Sequence, residues 1–155
     1  MARGSRRSAS TLLDDRSPLF SLHDELRSLA KGPGMTVAKL LVCPTILGLP
    51  AVTDEGGGDG DRATAARSVI VCAIFRLGSP IRRAYLFQML NVDGKPGNLT
   101  ARRQDFVVEK GIGKDPQREL EADAYLELAG DLLIAETSPC RAVPDSNALQ
   151  EKAAS

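Results

Sequence analysis

The residues of this chain that could do chemistry are mostly basic, and they crowd into one stretch. Arg102, Arg103, Lys110, Lys114 and Arg118 lie close together, with Arg82 and Arg83 just upstream. Guanidinium and ammonium groups at that density suit contacts to phosphates, where binding strength comes from displaced counterions. Carboxylates follow at once. Glu121, Asp123 and Glu127 would suit a basic protein surface or a homodimer contact. The same arginines read equally as solvated faces of amphipathic helices, and no interleaved aromatics suggest a single-strand platform.

Other chemistry finds little to work with. A single histidine, His23, argues against most metal sites and catalytic triads. Cys43, Cys72 and Cys140 are far apart and form no C-x-x-C pair, which excludes a zinc site or disulfide framework and fits a reducing cytoplasm. Cys72 and Cys43 read as small buried hydrophobes, and Cys140 as a tail residue. Asp14-Asp15 and Asp24-Glu25 are adjacent pairs, and adjacent helix residues point in different directions, so neither suits acid–base work. Acids early in a helix instead complement its dipole. The acids at 54, 55, 59 and 61 match no EF-hand spacing, and no P-loop or dinucleotide fingerprint occurs. The expectation is a non-enzymatic protein with no catalytic residue, metal or cofactor.

Composition bounds the rest. The chain has 155 residues with zero formal net charge, 43% hydrophobic, 26% charged and 4% aromatic. These values fit one globular domain with an aliphatic core. Zero net charge excludes a uniformly basic, histone-like binder. It conceals a block of +5 over residues 76–118 that runs directly into −6 over residues 119–136. The longest apolar run, residues 69–75, is far short of the about 20 needed to span a bilayer. The basic start has no apolar stretch behind it and does not read as a secretory signal. A cytoplasmic chain without membrane contact is expected.

Spacing predicts the elements that must position the basic stretch. Residues 1–16 read as a flexible arm and 137–155 as a flexible tail, flanking a helical domain over 17–136. Ser17-Pro18 is a cap followed by a first-turn proline, and Leu19, Leu22, Leu26, Leu29 and Ala30 continue at helical spacing until Gly32-Pro33-Gly34. Thr36 caps a short helix over 37–43, and residues 45–49 make at most another turn. Residues 50–62, with three consecutive glycines, read as an acidic loop. A helix is expected over 64–77, and Ser79-Pro80 opens the next, with Ile81, Ala84, Tyr85 and Leu90 as its buried stripe. A loop over 91–98 leads to a helix over 100–110 that buries Phe106 and Val107. After the turn at Gly111, Asp115 and Pro116 open a last helix to about 135, whose seam is Leu120, Ala124, Leu128 and Leu132. The result is an all-α domain of five or six helices ending in a helix-turn-helix-like unit.

That unit carries an Arg102-Arg103 start, a turn of Gly111 and apolar Ile112, then Glu121, Ala124 and Leu128-Ala129. In these residues, over 99–129, the chain resembles the C-terminal helix-turn-helix of sigma-factor-like regulators, in particular the small regulator-type proteins of actinobacteria. Residues 78–84 are similar to the supporting helix of such domains, so the likeness spans about residues 65–133. The resemblance implies a DNA-binding transcriptional regulator, with Arg102, Arg103, Lys110, Lys114 and Arg118 on phosphates. The chain departs from the pattern where family members carry Ser or Thr and then basic or small polar residues. Here stand Gly113, Asp115, Pro116, Gln117, Glu119 and Leu120. Carboxylates repel phosphates, and proline has no N–H to offer one, so the unit is degenerate. The alternative reading is a helical adaptor or homodimer that has lost DNA binding and uses Glu121, Asp123 and Glu127.

Overall fold

The computed structural model describes residues 17–53 and 57–135. The expected arm, the expected tail with Cys140, and the Asp14-Asp15 pair lie outside the described residues. Eight helices and no strand occur among the described residues. They are α1 (Pro18–Ala30), α2 (Val37–Leu40), α3 (Pro44–Leu47), α4 (Pro50–Thr53), α5 (Asp59–Arg76), α6 (Pro80–Met89), α7 (Leu99–Lys110) and α8 (Lys114–Ile134). The five longer helices are those the periodicity predicts; the short helix expected over 37–43 ends at Leu40, and two further single turns, α3 and α4, bring the count above the expected five or six.

The starts follow local chemistry. Ser17 Oγ accepts from the Phe20 amide at 3.0 Å, and Ser79 Oγ from that of Arg82 at 3.3 Å, each just before a first-turn proline. The acidic loop expected over 50–62 is shorter than its composition suggests. Ala51 and Val52 are fully buried, so tertiary burial folds residues 50–53 into a turn of helix. Asp59 and Asp61 then occupy the first turn of α5, where acids complement the dipole. The run over 69–75 is helical within α5.

Helix α5 forms one side of the core. Its buried face includes Ala63, Ala66 and Ala73, whose small side chains let α2, α3 and α4 pack against it. Helix α8 forms the other side, resting on α1, α6 and α5, while α7 rests chiefly on α6. Tyr85, Phe106 and Tyr125 are the largest buried side chains, and the Tyr85 and Phe106 rings meet edge-on at 4.9 Å. Ile81 is 41% exposed, outside the stripe expected of α6. Cys43 is a buried free thiol. Cys72 is half-buried rather than part of the fully buried face of α5.

Charged side chains hold helix ends. Glu25 does not act on its own helix. Its carboxylate accepts from the Thr45 and Ile46 amides, each at 2.9 Å, and caps α3, which Cys43 leaves without a side-chain cap. Lys39 Nζ donates to Leu29 O at 2.9 Å at the end of α1, and Arg67 to Val92 O at 2.7 Å beyond α6. A cation at a helix C-terminus meets both the unsatisfied carbonyls and the negative end of the dipole.

Candidate functional site

The site grows from the turn between the last two helices. Asn98 Oδ1 accepts from the Ala101 amide at 2.9 Å and starts α7. Gly111 ends it in the left-handed region at φ 65°, and the Ile112 amide returns to Val107 O at 3.2 Å. Gly113 takes the cap position of α8 and Lys114 the first turn, two residues ahead of the Asp115-Pro116 start expected. Ile112 is half-buried against the core. Neither helix is the other's main packing partner.

Between them, with α1 behind, opens a cleft of about 740 Å3. Residues 114, 117, 118 and 121 share one face of α8, and α7 contributes Thr100, Arg103, Gln104 and Val107. Arg27 of α1 closes the back, its guanidinium 5.6 Å from the Tyr125 ring centroid. Four cations, Arg27, Arg103, Lys114 and Arg118, thus face one carboxylate, that of Glu121.

Glu121 is the hub. Its side chain is 8% exposed. Arg103 grips it with Nε and Nη2, both at 3.0 Å, and Arg27 Nη2 donates at 3.1 Å. The Tyr85 hydroxyl donates to the same carboxylate, and Gln117 Nε2 donates to Tyr85 Oη at 2.6 Å and to Glu121 at 3.4 Å. Burial pushes the Glu121 carboxyl up, but hydrogen bonds from Arg103 and Tyr85 and the charges of Arg103 and Arg27 outweigh it, so it is held below its ordinary value. Burial, then the neighbouring Glu121, raise the Tyr85 phenol well above its usual range, which keeps it a proton donor.

The five expected phosphate contacts do not stay together. Arg102 is 6% exposed and belongs to the interior. Its Nε donates to Met89 O at 3.2 Å, Nη1 to Gly32 O and Gly97 O at 3.1 Å each, and Nη2 to Ala30 O. It staples the ends of α1 and α6 to the start of α7, with four of its five N–H donors spent on main-chain carbonyls and its guanidinium withdrawn from the surface. Burial lowers its pKa. Arg103 lines the cleft but is already paired. Lys110 lies outside it, 5.9 Å from the Phe106 ring centroid. Lys114 and Arg118 line the cleft, are exposed, and have no ion pair or hydrogen-bonded partner among the described residues.

The acidic surface proposed for a partner is also spent internally. Glu121 is buried, so it cannot be the exchangeable surface residue the adaptor reading needs. Arg82 pairs with Glu127 at 2.7 Å and with Asp123 at 3.6 Å, which ties α6 to α8. Four acids of the −6 block, Glu121, Asp123, Glu127 and Asp131, therefore face arginines of their own chain. Sequence reasoning missed Arg27, Tyr85 and Gln117. Gln117 and Glu121 stand on the same face as Ala124 and Leu128, a polar pair on an apolar stripe, and that was the available signal. Among the described residues no cluster of His, Cys, Asp and Glu could hold a metal, and no helix is long and apolar enough to cross a membrane. Comparison with protein-family models, curated proteins and solved structures gives no match to this chain.

Proposed function

We propose that the chain is a non-enzymatic regulatory protein with a degenerate helix-turn-helix, which contacts the phosphates of duplex DNA at the mouth of the α7–α8 cleft. The observation that carries this reading is the pair Lys114 and Arg118, exposed on the first turns of α8 and in no ion pair among the described residues. They stand where the second helix of such a unit meets nucleic acid. Arg103 adds a third cation behind them, restrained by Glu121.

Two or three phosphate contacts make a weak, sequence-tolerant binder, because phosphates position a protein without specifying sequence. The adaptor reading keeps less support, since Glu121 is buried and Glu127 and Asp123 share Arg82 of the same chain. The test is the salt dependence of duplex binding. Two to three contacts correspond to a slope of about −2 to −3 in log K against log salt. Lys114→Ala and Arg118→Ala should each flatten it by about 1, and Arg102→Met should leave it unchanged. Absence of duplex binding at low salt overturns the reading.

A further inference from the structure

We infer that the α7–α8 cleft is also a binding site for a small phosphorylated ligand of nucleoside-monophosphate size. This shares the cationic cleft with the reading above but not its ligand.

The shape of the cleft suits a small ligand. A duplex cannot enter between two helices that meet at a three-residue turn, so a passing backbone engages only the rim. The concavity behind that rim, about 740 Å3, falls in the range of small-molecule sites. A phosphate monoester carries about −1.5 to −2 at neutral pH, which matches the two unpaired cations, Lys114 and Arg118. On the floor, Arg103 spends Nε and Nη2 on Glu121, and Arg27 spends Nη2, so Nη1 of each guanidinium remains to donate. Both arginines are held in place by a buried carboxylate, so little entropy is lost when a ligand takes those donors. Beyond the phosphate, Gln117 is 7% exposed and gives its Nε2 to Tyr85 and Glu121, leaving Oε1 to accept from a sugar hydroxyl or a base N–H. Val107, on the opposite wall, supplies an apolar surface for a flat ring.

The test is an NMR titration of the full 15N-labelled chain at about 150 mM salt, where unspecific ion contacts are screened. The probes are adenosine 5′-monophosphate, inorganic phosphate and adenosine. The nucleotide should give saturable shifts confined to residues 100–107 and 113–121 with Arg27. Phosphate should shift a subset of these at least about tenfold more weakly, and adenosine should bind more weakly still. Lys114→Ala and Arg118→Ala should each weaken the nucleotide about tenfold without altering thermal stability. No saturable shift by about 10 mM nucleotide, shifts mapping elsewhere, or equal affinity for nucleotide and phosphate overturns the inference. A duplex added to the same samples separates the two readings. Nucleotide binding without duplex binding sinks only the DNA reading, and the converse sinks only this one.

Discussion

Arg102→Met separates the role expected from the sequence from the one the fold assigns. Methionine keeps most of the apolar stem and removes every donor. Four carbonyls then lose a partner. Those of Gly32 and Gly97 belong to exposed residues and can turn to water. Ala30 is 1% exposed and Met89 is fully buried, so their carbonyls are orphaned. An unsatisfied buried group costs about 1–3 kcal/mol, and relief of the guanidinium's own desolvation offsets part of two such losses. A net loss of about 2–4 kcal/mol is expected, a large share of a typical 5–15 kcal/mol stability. At about 2–4 °C per kcal/mol for a chain of this size, Tm should fall by about 4–16 °C. Urea unfolding followed by far-UV circular dichroism, with thermal scans, measures both. Duplex affinity and its salt slope, taken well below Tm, should be unchanged. A stability loss under about 0.5 kcal/mol together with weaker duplex binding would refute the reasoning, because it would place Arg102 on the surface.

Glu121→Gln keeps the shape and removes the charge that restrains Arg103 and Arg27. It should lower stability by about 1–3 kcal/mol and tighten duplex binding, as read by unfolding and by binding at fixed salt. The native Glu121 carboxyl is held below its ordinary 4.5, so its contribution is present above that value and lost as pH falls through the lower folded value. The acid limb of the stability curve should therefore be shallower in Glu121→Gln, and an unchanged limb would count against the buried network. Glu25→Ala should cost about 0.5–2 kcal/mol through the lost cap of α3, with faster amide exchange at Thr45 and Ile46. Burial, with Glu25 adding to it, pushes the Cys43 thiol up to about 11. At pH 8 only about one thiol in a thousand is ionised, so a thiol reagent should modify Cys43 only on unfolding.

The long helices were legible because their signals are local. Ser17-Pro18 and Ser79-Pro80 spell helix starts, and Gly111 spells a stop that the left-handed backbone confirms. The turn over 50–53 was not legible, because what folds it is burial of Ala51 and Val52 against α5. The site was half legible. Arg102 and Arg103 are neighbours in sequence, but a helix turns about 100° per residue and sends one inward and the other to the cleft. Arg102 stands four residues before the buried Phe106, which already places it on the apolar stripe. Glu121 likewise sits on the stripe of Ala124 and Leu128. What no local pattern could supply is its partner Arg27, 94 residues away on α1.

The proposed anion contact belongs to the α7–α8 cleft, with Lys114 and Arg118 at its mouth. A chemical-shift map of the labelled chain titrated with a short duplex at low salt tests it most directly. The largest changes should fall on the rim, at residues 114–118 and the facing residues 100–104, with Arg27 at the back little affected. Changes centred on the seam of Arg82, Asp123 and Glu127, or no changes at low salt, would contradict it.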